Sequence, residues 1–292
     1  MTDDRVYEVT IAASAAEAWA ALTDPHTVRR YYYGTAPRTT WQLGSPIEFV
    51  DDDGDVQIVG EVLEFEPPMR LAHTFIATWY GGRDDQGSLH WEVTPIADGC
   101  RVTLIHRGAR AQSREGSETA DGSRHIIEAL KALLEREPDI RRSAVIAAPL
   151  ESVWDAIADS RAFGAWFGAE LDGPFRVGET TTGRIVPTAV DPEIAAAQEP
   201  HRGAPLTFDV LAVEPRRRFA FRWNPSAESA VSTAVEFTLD EVADGTRVTI
   251  TEDGFDELPE ELRDAAREGN DGGWEAQTRL LASYLAARAS SR

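Results

Sequence analysis

One segment of this sequence occurs twice. Residues 11–24 read Ile-Ala-Ala-Ser-Ala-Ala-Glu-Ala-Trp-Ala-Ala-Leu-Thr-Asp, and they align without a gap to residues 146–159, Ile-Ala-Ala-Pro-Leu-Glu-Ser-Val-Trp-Asp-Ala-Ile-Ala-Asp. The period of about 135–150 residues is the size of a whole domain, well above the roughly 20–50 residues of solenoid and propeller repeats. The repeat therefore predicts two similar domains in tandem, residues 1–138 and 139–292.

Further landmarks recur in the same order in each half. Val62-Leu-Glu-Phe-Glu-Pro67 matches Val210-Leu-Ala-Val-Glu-Pro215, and Arg101-Val-Thr-Leu104 matches Arg247-Val-Thr-Ile250. Each half then ends in apolar residues at helical spacing. The predicted order in each domain is a strand, two short helices, a run of antiparallel strands and a long closing helix.

The N-terminal repeat gives the clearest secondary-structure signals. Apolar and polar residues alternate over Arg5–Ile11, which predicts a strand, and Ser14-Ala-Ala-Glu17 has the sequence of a capping box at a helix start. Glycines and acidic turns then separate short strands, and a helix follows. These elements are predicted at Ile47–Val50, Val56–Phe65, Leu71–Trp79, Leu89–Val93, Val102–His106 and Asp121–Arg136.

The closing helix is the only predicted element large enough to cover the apolar face of a bent antiparallel sheet. A curved sheet is not filled everywhere by side chains, so we expect an elongated cavity between sheet and helix, with aromatic walls and few polar groups. An Ala- and Pro-rich segment, Pro187–Pro205, has no counterpart in the first half and is predicted as a loop or short helix at the cavity mouth.

Composition excludes several classes of partner. The net charge is −21 and the sequence pI about 4.6, whereas binding to phosphate groups needs Lys and Arg, so no nucleic-acid partner is expected. The single cysteine, Cys100, allows no internal disulfide. No signal peptide is expected at the N-terminus, and no apolar run approaches the roughly 18–20 residues of a membrane span, so we expect a cytoplasmic protein without membrane insertion.

Taken in order, the motifs resemble a known superfamily. The Trp-containing segment is followed by an aromatic-Gly turn (Tyr31-Tyr-Tyr-Gly34, Trp166-Phe-Gly168), then by Glu-Pro and Asp-Gly-x-Arg-Val-Thr motifs, and in the second half by Gly-Gly-Trp274. This order is similar to the START-like helix-grip (SRPBCC) superfamily, and more narrowly to proteins related to the C-terminal domain of the Hsp90 ATPase activator and to polyketide cyclases. The resemblance implies an α+β fold of two tandem helix-grip (β-α-α-β6-α) domains, each with a hydrophobic ligand cavity. It implies no fixed chemistry, because this fold hosts carriers, receptors, cyclases and co-chaperone domains.

Candidate ligand contacts lie on the strand faces predicted to turn inward. His106 and Glu252 occupy equivalent positions at a strand end, and His73 shares a face with aromatic residues. The plainer interpretation makes His73 a partly exposed edge histidine, His106 and Glu252 strand-end groups near solvent, and the aromatic residues wall or core. The predicted ligand-binding residues are His73, Phe75, Trp79, Trp91, His106, Phe221, Trp223, Phe237, Glu252 and Trp274.

No catalytic residue, metal site or cofactor is assigned from the sequence. The six histidines show no ligand pair at i, i+4 and no cysteine partner, and Asp51-Asp-Asp-Gly-Asp55 is better explained as an acidic hairpin turn than as a Ca²⁺ loop. Phosphate-binding and nucleophile motifs are absent from the sequence.

The leading hypothesis is therefore non-catalytic binding of a small apolar molecule, a lipid or an aromatic compound. Two alternatives stay open. One is an enzyme of the cyclase or hydrolase type that uses His73, His106 or Glu252 as acid–base groups. The other is a co-chaperone or interaction module with an Hsp90-type partner, which only the family resemblance suggests.

Overall fold

The computed structural model describes residues 3–78, 87–109, 122–225 and 231–290. The chain divides into two compact units, residues 1–136 and 137–292, whereas the sequence placed the division between residues 138 and 139. Each unit combines one antiparallel sheet with helices. The predicted fold class, α+β with two tandem helix-grip domains, is confirmed.

The N-terminal domain has the predicted order of elements. They are β1 (Asp3–Ile11), α1 (Ala15–Thr23), α2 (Pro25–Tyr31), β2 (Ala36–Arg38), β3 (Pro46–Val50), β4 (Val56–Glu66), β5 (Arg70–Thr74), β6 (Ile76–Ala77), β7 (Ser88–Ile96), β8 (Gly99–Ala109) and α3 (Gly122–Leu134). The sheet order is β1-β8-β7-β5-β4-β3-β2, with β6 paired to β4. The sequence analysis did not predict β2, and the single strand predicted over Leu71–Trp79 is interrupted between β5 and β6.

The C-terminal domain repeats this order with one insertion. Its elements are β9 (Ile140–Ile146), α4 (Leu150–Ala158), α5 (Ser160–Phe167), β10 (Ala169–Leu171), β11 (Thr180–Ile185), α6 (Pro192–Gln198), β12 (Pro205–Glu214), β13 (Arg218–Trp223), β14 (Thr233–Val242), β15 (Gly245–Asp253) and α7 (Glu260–Ser290). The sheet order is β10-β11-β12-β13-β14-β15-β9. None of the helices described in either domain is both long and apolar enough to cross a lipid bilayer.

The repeated sequence segment folds into the same strand–helix–helix unit in both domains. In the N-terminal copy the predicted capping box forms: the Glu17 amide donates to Ser14 Oγ at 3.2 Å, and the Ser14 amide donates to the Glu17 carboxylate at 2.5 Å. The aspartate that ends the segment caps the second helix. The Thr27 amide donates to Asp24 at 2.9 Å, and the Ala162 amide donates to Asp159 at 2.8 Å.

A second shared contact fixes the two short helices against each other. The Tyr31 hydroxyl donates to the carbonyl of Ala21 at 3.1 Å, and the Trp166 indole N–H donates to the carbonyl of Ala156 at 2.8 Å. Both acceptors lie ten residues before their donors. Tyr31 and Trp166 therefore occupy equivalent positions. The residues that follow them, Tyr32 and Phe167, are equivalent as well.

The closing helix of the C-terminal domain is longer than its motif predicted, since α7 begins at Glu260 rather than near Gly272. Three glycines lie within it, although each costs roughly 1 kcal/mol relative to alanine in a helix. Side-chain contacts stabilise the glycine-containing part of α7. Asn270 Nδ2 donates to the Glu252 carboxylate at 2.9 Å, and Arg142 forms a salt bridge with Asp271 at 2.5 Å.

The inserted segment of the C-terminal domain contains the predicted short helix, α6. Its last residue, Gln198, donates to the carbonyl of Phe167 at 2.9 Å and accepts from the Thr188 amide at 2.8 Å. The insertion therefore folds back on the end of α5.

Candidate functional site

The two sheets carry an equivalent row of inward-facing residues on three neighbouring strands. In the N-terminal sheet, neighbouring strands β5, β7 and β8 place His73 opposite Leu89, and Leu89 opposite His106. His106 follows Arg101 by the same number of residues as Glu252 follows Arg247, so the shared Arg-Val-Thr motif aligns the rows. The C-terminal row consists of Phe221, Val235 and Glu252.

His73 lies inside the N-terminal domain. Only 2% of its surface is exposed, and β5 lies between β4 and β7, so the interpretation of His73 as a partly exposed edge histidine is wrong. Its ring centroid is 5.4 Å from that of Phe49. Burial lowers the pKa of His73 to about 4, and the nearby imidazoles of His90 and His106 act in the same direction, while a hydrogen bond to Thr74 opposes them.

The tautomer of His73 follows from its hydrogen bond to Thr74. Nδ1 is 2.9 Å from the carbonyl oxygen of Thr74, which only accepts, so Nδ1 carries the proton. In the neutral ring Nε2 is then an unprotonated acceptor, and it has no hydrogen-bond partner among the residues that the structure describes. Gly60 makes this arrangement possible, because a Cβ at that position would collide with the Thr74 carbonyl.

His106 is half-buried and connects β8 to the closing helix. Its Nδ1 is 3.3 Å from Ser123 Oγ, and its ring meets Phe75 edge-on, with centroids 5.7 Å apart. His73, Phe75 and His106 therefore lie together in the N-terminal domain. Trp91, also a predicted contact, is 3% exposed and belongs to the core. Trp79 lies outside the described residues.

Sequence reasoning missed Tyr32. This residue is 2% exposed, its ring stacks on Phe49 with centroids 4.7 Å apart, and its hydroxyl has no hydrogen-bond partner among the described residues. Burial raises the pKa of the phenol well above its ordinary value, with a smaller contribution from Tyr33. One sequence signal was present: the aromatic-Gly turn carries a hydroxyl at Tyr32 where the second copy has Phe167.

The interior of the C-terminal domain contrasts with that of the N-terminal domain. Its side chains form one aromatic cluster around Phe163, which has less than 1% of its surface exposed and lies within 6.4 Å, centroid to centroid, of seven other rings. These rings belong to Trp166, Phe167, Phe175, Phe208, Phe219, Phe221 and Phe237.

The aromatic cluster distinguishes this interior from that of the N-terminal domain, and the cavity expected in each half stays a prediction. In the described part of this domain the aromatic residues of the sheet and of α5 pack together, and Phe167, Trp223 and Phe237 also contact Trp274 of α7. Phe208 shows the difference between the copies, since the Val62/Val210 match aligns it with Gly60. A ligand at Phe221, Phe237 or Trp274 would have to displace packed rings, and their role as ligand contacts stays a prediction.

Glu252 is fully buried in this cluster and is surrounded by hydrogen-bond donors. Its carboxylate accepts from Trp223 Nε1 at 2.8 Å, Thr233 Oγ1 at 2.5 Å, Trp274 Nε1 at 2.6 Å and Asn270 Nδ2 at 2.9 and 3.1 Å. Burial raises the pKa of Glu252, and these four donors oppose the shift by favouring the charged form. The interpretation of Glu252 as a group near solvent is therefore wrong.

The described residues show no group of three or more His, Cys, Asp or Glu side chains placed to hold a metal ion. The Asp51–Asp55 segment is the predicted acidic turn between β3 and β4. Asp51 accepts from the backbone amides of Asp53 at 3.1 Å and Asp55 at 2.9 Å.

The fold and the two interiors define a two-domain helix-grip protein of the START-like class. The family model for the activator of Hsp90 ATPase homolog 1-like proteins matches residues 12–135 and again residues 147–286. The chain belongs to this family, as its motifs predicted, with one copy of the family domain in each half.

Several solved structures are similar to this chain. Protein MLL2253 from Mesorhizobium loti is 22% identical, with 51% of this chain and 96% of that chain covered and a TM-score of 0.40. DynU16, a putative protein of the dynemicin biosynthetic locus, is 18% identical over 97% of this chain and 99% of its own, with a TM-score of 0.37. The di-domain ARO/CYC StfQ from the steffimycin pathway is 13% identical over 98% and 99%, with a TM-score of 0.42. No curated protein matches the sequence significantly.

Proposed function

We propose that the N-terminal domain binds a small, largely apolar molecule between its sheet and α3 and does not transform it. The observation that carries the proposal is the imidazole of His73, buried beside aromatic residues where the C-terminal domain has Phe221. The Nε2 atom of His73 is an acceptor with no hydrogen-bond partner in the described parts of the chain, and a polar atom of this kind among aromatic side chains is suited to orient a ligand.

The surroundings of His73 have the composition of a small-molecule site. Phe49 and Phe75 provide apolar surface, and His73 and His106 add a small number of polar atoms that orient a bound molecule. The low pKa of His73, about 4, argues against a catalytic base, because such groups work best with a pKa near the operating pH.

In this proposal the C-terminal domain does not bind the same kind of ligand. Phe163 packs against seven other rings in its core, and the Glu252 carboxylate accepts hydrogen bonds from four side chains.

Native mass spectrometry of the freshly purified full chain tests the proposal. We expect a bound small molecule that is lost on denaturation, and lower occupancy in His73→Phe, which carries the residue of the C-terminal copy. His90→Phe is the matched control, since His90 lies between two inward-facing residues of β7 and points to the other face of the sheet. The proposal fails if nothing co-purifies and a panel of lipids and aromatic compounds gives no thermal shift, or if both variants lose the ligand equally.

A cyclase- or hydrolase-type enzyme is a second candidate, favoured by the placement of two imidazoles, His73 and His106, in one row of the sheet. If it is correct, the released co-purified molecule incubated with fresh protein changes mass, and His106→Gln abolishes that change. An unchanged mass in the presence of the wild-type protein removes this candidate.

A chaperone partner is a third candidate, favoured by the family match in both domains. Its test is the ATPase rate of the host's own Hsp90-type chaperone with and without this protein. An unaltered rate at saturating concentration removes it.

A further inference from the structure

We infer that the ligand of the N-terminal domain is a hydroxylated aromatic compound, a phenol, held by a donor at Tyr32 and an acceptor at His73. The inference rests on the proposed function and names the chemical class that this interior selects. It depends on two buried groups with opposite hydrogen-bonding character that flank one ring, Phe49.

Tyr32 supplies the donor. Its hydroxyl is buried without a hydrogen-bond partner in the described parts of the chain, and such groups are rare in native interiors unless they meet a ligand, an ion or a water. The raised pKa of the phenol keeps the proton on the oxygen at neutral pH. Phe167 occupies the same place in the C-terminal domain, so the fold does not require a hydroxyl there.

His73 supplies the acceptor. Because Nδ1 donates to the Thr74 carbonyl, Nε2 presents a lone pair, and only a donor satisfies it. Phe221 occupies the equivalent position in the C-terminal sheet, so the imidazole also is dispensable for the fold. Both polar groups thus replace a phenylalanine of the other copy, and both are in the N-terminal interior.

Phe49 contacts both groups. The Tyr32 ring lies at 22° to the Phe49 ring with centroids 4.7 Å apart, and the His73 ring lies at 38° to it with centroids 5.4 Å apart, so three planar rings lie together in this interior. Planar aromatic molecules pack well against such surfaces. A phenolic hydroxyl accepts a hydrogen bond through its oxygen, which matches the donor at Tyr32. It also donates its proton, which matches the acceptor at His73.

A matched set of three probes tests the inference by calorimetric titration of the full chain. 2-Naphthol accepts and donates a hydrogen bond, 2-methoxynaphthalene only accepts, and naphthalene does neither. We expect affinity to fall in that order, by about tenfold for each hydrogen bond lost. Tyr32→Phe should weaken 2-naphthol and 2-methoxynaphthalene alike and leave naphthalene unchanged. His73→Phe should weaken 2-naphthol alone.

The outcomes separate the inference from the proposed function. If all three probes bind equally to the wild type and to both variants, the interior binds aromatic molecules but the phenol inference is wrong, and a buried water satisfies Tyr32 and His73. If no probe binds the wild type, both proposals fail. His90→Phe should bind all three probes as the wild type does, and thermal melts of each variant show that the fold is retained.

Discussion

Glu252 occupies in the C-terminal sheet the position that His106 occupies in the N-terminal sheet, and each contacts the closing helix of its own domain. His106 meets Ser123 of α3 at 3.3 Å, and Glu252 meets Trp274 of α7 at 2.6 Å. The same point of the fold has thus become part of a candidate ligand site in one copy and the centre of a packed polar network in the other.

Replacement of Glu252 by glutamine should destabilise the C-terminal domain by about 2–4 kcal/mol. The glutamine amide places N–H groups against the indole N–H groups of Trp223 and Trp274, which donate to the carboxylate in the wild type. Urea unfolding measures the effect. Glu241→Gln, at an exposed position on β14, is the control and should change stability by less than about 0.5 kcal/mol. Equal midpoints for the two variants would contradict the role of Glu252.

Acidification should destabilise the N-terminal domain through His73. Its pKa falls from 6.5 to about 4 on folding, so between these values the unfolded chain binds the proton and the folded chain does not. The stabilisation is complete above pH 6.5 and is lost as the pH falls toward 4, and it amounts to about 3 kcal/mol. Unfolding free energies across this range, compared between wild type and His73→Phe, measure it. The same pH dependence in both proteins would show that another group is responsible.

Alanine at Gly273 should stabilise the protein by about 1 kcal/mol, because an added Cβ meets no atom within 4 Å and the residue lies inside α7. Gly254→Ala is the contrasting variant. Gly254 has φ of 106°, which L side chains rarely adopt, so its replacement should destabilise by more than 1 kcal/mol. Thermal melts of both variants and the wild type measure these changes. A destabilised Gly273→Ala variant would indicate that the glycine is needed for local motion or close packing.

Removal of the Phe163 ring should be among the most damaging single changes to the C-terminal domain. Phe163→Ala deletes the ring that seven others surround, and large-to-small changes of this kind cost about 3–5 kcal/mol. Phe163→Leu, which refills part of the volume, should cost clearly less. A loss below 1 kcal/mol for the alanine variant would mean that the cluster is not close-packed.

The sequence was sufficient for the architecture because the relevant signals are local or repeated. The capping box at Ser14, the aspartates at positions 24 and 159 and the alternation in the strands each act over a few residues, and the repeat supplied the domain count. The alignment of His106 with Glu252 also followed from a local motif and is confirmed by the strand register.

The interiors were less predictable because they depend on residues far apart in the sequence. Phe163, Phe208 and Phe237 come from three different elements, and periodicity alone does not reveal that their rings meet in one cluster. The buried Tyr32 hydroxyl, which has no hydrogen-bond partner among the described residues, was likewise not predictable, since whether a buried polar atom finds a partner depends on the folded neighbourhood.

The central claim is that the N-terminal domain contains the binding interior and that the C-terminal domain is filled. A crystal structure of the full chain soaked with 2-naphthol tests it most directly. The account predicts density for the ring beside Phe49, within hydrogen-bond distance of Tyr32 and His73, and none among the rings around Phe163. Density within the Phe163 cluster, with the N-terminal interior closed to the probe, would contradict it.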